Sequence, residues 1–207
     1  MNEKTVYKLS YGLFVLTAKD GEKDNGCIIN TAQQVTTTPN RITIAVNKGN
    51  YTHDMIMSAK KFNLSILSEE AAFDVFKRFG FQSGKTSDKF QDFTGMKRSA
   101  NGIYYITEGT NGYISAAVEQ IIDLGTHTLF IARVEDMDTI SDVPSATYDY
   151  YHSNIKPKPQ AVGTDEKGRT VWRCVICGYE YVGEELPENF ICPICKHPAS
   201  DFEKVVR

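Results

Sequence analysis

The sequence predicts a mainly β protein, a barrel-like sheet carrying a few helices, followed by a small metal-binding domain. Three observations predict it. Seven stretches alternate apolar and polar residues or run apolar with β-branched side chains, at 13–17, 26–30, 41–47, 62–67, 102–106, 113–123 and 127–134. Only two stretches carry a helical pattern with a start signal. Four of the five cysteines crowd into the last stretch as two Cys-x-x-Cys pairs. Many strands with few helices build a closed sheet with helical additions.

Each element has its own signal. Asp20-Gly21 is a turn joining the first two strands. Ile42-Thr43-Ile44-Ala45-Val46 has the branched side chains that suit a pleated surface. A helix is expected over 52–60, with Thr52 as its cap, Asp54 in the first turn and Met55, Ile56 and Ala59 on one face. A second is expected from 68 to about 79, capped by Ser68, with Glu69 and Glu70 near its positive end and Ala72, Phe73, Phe76 and Phe79 turned inward. Lys156-Pro157-Lys158-Pro159 cannot continue a helix or a central strand, and the residues after it are polar and broken by Gly163 and Gly168. The expected organisation is a barrel domain over 1–155, a linker over 156–168 and a metal domain over 169–207.

Composition excludes several classes. The formal charge of −3 comes without a basic run or stripe, so nucleic acid is not expected as a partner. The first residues, MNEKTVYKLSYG, lack the apolar core of a signal peptide. No apolar stretch approaches the length of a membrane span, and a cytoplasmic protein is expected. In a reducing compartment, paired Cys-x-x-Cys motifs read as metal ligands before disulfides.

Those ligands are Cys174 and Cys177, then Cys192 and Cys195. Two residues between cysteines let both sulfurs of a pair turn toward one ion. Gly178 permits the tight turn after the second ligand. Backbone N–H groups in such turns point back at the sulfurs. Two pairs make a tetrahedral, all-thiolate site, which suits zinc or iron. Trp172, Tyr179, Tyr181, Phe190 and Phe202, with Leu186-Pro187, are many apolar groups for so short a domain. They are expected to cage the ion away from water, which favours a redox iron over a zinc staple.

The front domain shows no Gly-x-Gly-x-x-Gly after a strand, no Ser/His/Asp pattern and no His-Glu-x-x-His. Gly84-Lys85-Thr86 ends like a phosphate loop, but Phe79 stands where the loop needs its first glycine. The informative stretches are polar. Asn25 to Pro39 reads as a strand leaving into a Thr-rich loop. Val46 to His53 reads as a strand end running into a helix N-terminus, where free N–H groups, Lys48, Asn50 and Thr52 are placed to receive a phosphate. On chemistry alone, polar loops and a helix cap explain the same residues.

Gly12-Leu13-Phe14-Val15-Leu16-Thr17, Asn25-Gly26-Cys27, Pro39, Asn50-Tyr51-Thr52-His53, Phe79 to Gly84, Asp88-Lys89-Phe90 and Gly125 to Phe130 together resemble the FMN-binding split-barrel flavin reductases, flavoredoxin among them. The resemblance covers nearly all of 1–155. It implies a split β-barrel, a homodimer, FMN near the subunit interface and NAD(P)H as a transient visitor. It further implies that Asn30, Thr31, Ala32, Gln33 and Gln34 line the isoalloxazine. Lys48, Asn50, Tyr51 and Thr52 would hold the ribityl phosphate. Ser83, Asp88 and Lys89 would belong to a loop over the cofactor. Relatives often carry Gly-Asp-His before the last long strand. This chain has Gly125-Thr126-His127, so His127 is the catalytic candidate without its acidic neighbour.

Trp-x-Cys-x-x-Cys-Gly-Tyr followed by Cys-Pro-x-Cys resembles rubredoxin, in the short-looped form found at the end of rubrerythrins, over roughly 170–202. That resemblance implies one iron per chain. The two domains in this order resemble the high-molecular-weight rubredoxins. They imply electron flow from NAD(P)H through FMN to iron, then to a redox partner such as a flavodiiron oxygen or nitric oxide reductase. Two rival readings stay open: a flavoredoxin-type carrier that oxidises no pyridine nucleotide, and a zinc-ribbon binding protein without redox chemistry. Among the remaining residues, His53 is expected in a first helical turn, solvated or beside a phosphate. His152 and His197 are expected at the surface, and Cys27 as a small buried strand residue. Tyr148, Tyr150 and Tyr151 are expected in core or dimer packing.

Overall fold

The computed structural model describes residues 5, 8–157, 170–175, 178–193 and 197–205. Seven strands form one antiparallel sheet in the order β2-β1-β5-β8-β9-β4-β3. They are β1 (Phe14–Asp20), β2 (Lys23–Ile29), β3 (Ala32–Thr37), β4 (Asn40–Asn47), β5 (Lys61–Leu67), β8 (Thr110–Asp123) and β9 (His127–Thr139). β6 (Met96–Arg98) and β7 (Tyr104–Ile106) pair as a separate hairpin. The sequence placed a strand at 102–106; only its last part pairs, because Gly102 takes φ +80 and turns the chain.

Period-two alternation puts Ile42, Ile44 and Val46 of β4 into the interior with Leu16, Phe62, Leu64 and Phe130. α1 (Tyr51–Ala59) adds Met55 and Ile56 to that core. β1 is buried on both faces. Val15 points the other way, into a second core formed with Val75, Phe76 and Phe79 of α2 (Phe73–Gly80) and with Phe90, Ile106 and Tyr151. Register shifts at Gln34/Thr36, Ile66/Leu67, Ser115/Ala116 and Val118/Gln120 break the ladders, and such bulges bend strands as a barrel requires. The expected turn at Asp20-Gly21 is present, with Asp20 opposite Lys23 and Gly21 at φ +56.

Three local expectations need correction. Ala32–Thr37 reads as a loop but pairs with β4 as an edge strand. α1 is capped at Asn50 and not Thr52, whose side chain is drawn inward. α2 starts after Ala72 and not after Ser68. The Ser68 amide donates to the Gly109 carbonyl and the Glu69 amide to that of Pro144, so these residues belong to strand-like pairing.

After the barrel a helical turn, α3 (Tyr148–Tyr150), continues as a π-helix over Tyr151–Ile155. Of the expected linker, 158–168 lie outside the described residues. The last part is a three-stranded sheet, β11-β10-β12, from β10 (Val171–Cys174), β11 (Glu180–Val182) and β12 (Phe202–Val205).

Candidate functional site

β10 ends on Cys174, which is buried, as is Cys192. Both pack in one cluster with Phe202, against Trp172, Tyr179, Tyr181, Leu186 and Phe190. The expected aromatic cage therefore forms: the Phe190 ring lies 4.8 Å from Tyr181 and meets Phe202 edge-on at 5.3 Å. The Gly178 amide donates to the Cys174 carbonyl at 2.9 Å, with Gly178 at φ +78. The Cys192 amide donates to the His197 carbonyl at 2.8 Å. Cys177 and Cys195 lie outside the described residues, among which no three His, Cys, Asp or Glu gather round a common point. Two buried thiols, the first of each Cys-x-x-Cys pair, under an aromatic cover, fit a thiolate-bound ion.

In the barrel, the N-terminus of α1 opens on a cleft of about 590 Å³. Asn50, Tyr51, Thr52, Ser83 and Lys89 line it, all singled out from sequence, together with Asn25, Cys27, Gly84, Thr86 and Ser87. Asn50 makes no side-chain cap bond, so the first amides of the helix have no side-chain acceptor from their cap. The Asn25 amide donates to Thr52 Oγ1 at 3.0 Å, and both residues are buried. Lys89 is only 3% exposed. Its ammonium donates to the carbonyls of Gly26 at 2.8 Å and Phe79 at 3.1 Å. Among the described residues no carboxylate pairs with it. An ammonium has three donors, so one remains for an occupant of the cleft. Burial pulls the Lys89 pKa below its ordinary value, only partly opposed by neighbouring Cys27. Burial pushes the Cys27 thiol up, against smaller lowering by Thr52 and Lys89. A buried cation with no carboxylate partner among the described residues, lining the same cleft as a helix N-terminus, fits a flavin phosphate.

The other expected cofactor residues lie apart from this cleft. Lys48 binds Asp123 at 2.6 Å in an exposed pair and holds that carboxyl below its usual range. Asp88 accepts from the Phe90 amide at 2.9 Å and lines a neighbouring hollow of about 650 Å³. Asn30 lines an adjoining apolar cavity of about 330 Å³, with Phe81, Tyr148 and Tyr151. Thr31 donates to the Ala45 carbonyl at 2.7 Å, Ala32 is half-buried, and Gln33 and Gln34 are exposed on β3. His127, half-buried at the start of β9, has Nδ1 2.9 Å from Thr126 Oγ1. His53 is neither solvated nor beside the cleft: it is buried, with Nε2 2.9 Å from Thr128 Oγ1 and its ring on Phe130. Cys27 is a buried strand residue, as expected. Tyr151 packs on Phe76 with ring centres 4.4 Å apart. Gly84 belongs to the stretch that carries the resemblance, but sequence reasoning passed over Thr86 and Ser87; their signal was the hydroxyl residues Ser83, Thr86 and Ser87 in one short segment.

A polar cleft on a split β-barrel, joined in one chain to a cysteine knuckle, defines the class. The chain belongs to the flavin reductase-like family: residues 6–158 match the flavin reductase-like domain, and residues 172–203 match the rubredoxin-like domain of rubrerythrin. It is a homologue of the high molecular weight rubredoxin of Moorella thermoacetica, 34% identical over an alignment covering 99% of this chain and 100% of that one. It is 33% identical to the ferric-chelate reductase (NAD(P)H) of Archaeoglobus fulgidus, over 79% of this chain and 96% of the relative. The fold matches the NADH:FAD oxidoreductase SgcE6 of Streptomyces globisporus, with a TM-score of 0.62 and 20% identity over 70% of this chain and 84% of the other. It also matches the styrene monooxygenase flavin reductase of Pseudomonas putida, with a TM-score of 0.61 and 21% identity over 76% and 98%. No helix among the described residues is long and apolar enough to cross a membrane.

Proposed function

We propose that the protein is an NAD(P)H-oxidising electron-transfer flavoprotein, passing electrons through FMN to a four-cysteine iron centre and on to a redox protein such as a flavodiiron reductase. The observation that carries this is Lys89, buried with no carboxylate partner among the described residues and lining the same cleft as the α1 N-terminus, in a chain that also carries the cysteine knuckle. In this reading Lys89, Thr52 and the first amides of α1 hold the phosphate. Asn25 orients Thr52 through its amide. Ser83 shapes the outer wall: its carbonyl accepts from the amides of Thr86 and Ser87 and curls the loop back over the cleft. Asn30, with Tyr148 and Phe81, lines the apolar cavity where a flat ring fits. Cys174, Cys177, Cys192 and Cys195 hold the iron, and the aromatic cluster excludes water from it. Bound flavin would supply the exchange between a hydride pair and single electrons. The names of the Moorella and Archaeoglobus relatives support a pyridine-nucleotide donor and an iron-linked acceptor.

The proposal divides the chain at 155 and 169, with 156–168 as linker. It makes the protein a homodimer, supported by apolar side chains left exposed at the tip of β8 and β9, Ile121, Ile122 and Leu124, and by Val35 on the edge strand. The test is direct. The purified protein is extracted for its chromophore and analysed for metal, then assayed for NADH and NADPH oxidation. FMN, iron and turnover are expected. FAD, zinc or a colourless preparation would contradict the reading.

A further inference from the structure

We infer that the metal knuckle docks on the flavin cleft of its own chain, so that each iron is served by the barrel to which it is tethered. The inference rests on the proposed function and adds to it the route between the two centres. Pro193 forms part of the wall of the 590 Å³ cleft, and His197 part of the wall of the 330 Å³ cavity. The two hollows adjoin, since Gly80 and Phe81 line both. The Cys192 amide donates to the His197 carbonyl, so the knuckle residues that reach the two hollows are held close to each other, on either side of Gly80 and Phe81. Cys192 directly precedes Pro193, about 3.8 Å away between Cα atoms. A metal ligand therefore stands one residue from the cleft wall.

Tether length does not decide the question. The thirteen steps from Pro157 to Thr170 reach roughly 45 Å when extended, so length alone sets no tight limit on where the knuckle sits. The described contacts favour the chain's own barrel, since Pro193 and His197 both line its hollows. Pro193 brings no amide that docking would strip of water, and it stays largely exposed at the cleft mouth, so the contact is small and reversible. With both groups bound, this contact would let a flavin holding the two electrons of a hydride give them up one at a time, each turning a ferric ion ferrous, with the redox partner reoxidising the iron before the second arrives and the flavin proton passing to solvent.

The test places a photo-crosslinker, p-benzoylphenylalanine, at position 193 in the full-length holoprotein and, in a second variant, at position 81 on the barrel side. After irradiation, adducts are sized under denaturing conditions and mapped by mass spectrometry. Adducts of monomer mass are expected, joining the Pro193 position to 49–52 or 80–87, with a yield per chain unchanged by tenfold dilution. Adducts of twice that mass, or no inter-domain adduct from either probe, overturn the inference. Flavin content of the same preparation is read separately. Monomer-mass adducts in flavin-free protein sink the flavin reading and leave the docking, whereas bound flavin without adducts sinks the docking alone.

Discussion

Replacing Lys89 by methionine separates cofactor binding from folding. In the apoprotein two effects oppose. The lost bonds leave the Gly26 and Phe79 carbonyls short of a donor, at about 1–3 kcal/mol each. Removing a buried charge with no carboxylate partner returns a desolvation penalty of several kcal/mol. The two nearly cancel, so the apoprotein's unfolding free energy should change by less than about 2 kcal/mol. No such cancellation applies to a bound phosphate. A charge-assisted hydrogen bond contributes about 1.5–3 kcal/mol, which at 1.4 kcal/mol per decade predicts a Kd raised roughly 10- to 150-fold. The assay is quenching of FMN fluorescence on titration with apoprotein, beside urea unfolding of the same samples. A variant that folds normally and binds FMN with unchanged Kd would show that Lys89 does not face the phosphate.

Three further outcomes are expected. Because burial holds the Lys89 pKa below the ordinary 10.5, the unfolded chain binds more protons between the folded pKa and 10.5. This group's contribution therefore makes the apoprotein more stable as pH rises through that window, while FMN affinity falls as the ammonium is lost; urea midpoints and Kd against pH should show both trends, and Lys89→Met should flatten them. Gly84→Ala drives a Cβ into the Asn25 side-chain amide, displacing the group that orients Thr52. One neutral hydrogen bond lost predicts FMN binding roughly 2- to 12-fold weaker by the same titration. Cys192→Ser should lose the iron and its ferric thiolate absorption while keeping flavin content per chain, measured by metal analysis and the absorbance of extracted flavin.

What the sequence showed and what it hid follow from the range of the forces involved. The knuckle was legible because its ligand spacing and turn glycine are local, and the barrel strands because alternation reports which face is buried. β3 was not, since Gln33, Gln34, Thr36 and Thr37 are polar on both faces and the strand exists by pairing with β4. The start of α2 was misplaced because distant carbonyls at Gly109 and Pro144 claim the amides that a Ser68 cap would have left to the helix. His53 sits in a first turn as expected, but only packing of α1 against β9 shows that Thr128 and Phe130 bury it. Lys89 entered only by resemblance, as one residue of a loop over the cofactor. Its burial with no carboxylate partner among the described residues is something no local pattern encodes. The run Asn25-Gly26-Cys27 pointed to the cleft by resemblance, and the structure supplies the physical reason, since the Gly26 carbonyl anchors Lys89 while Asn25 and Cys27 line the wall.

The central claim is that electrons from a pyridine nucleotide cross the barrel's flavin and arrive at the cysteine-bound iron. Anaerobic stopped-flow mixing of the holoprotein with NADH, repeated with NADPH, follows the flavin and ferric thiolate absorbances together. The account predicts that both bleach, the iron no earlier than the flavin and at a rate independent of protein concentration. Flavin bleaching while the ferric thiolate band persists would contradict it.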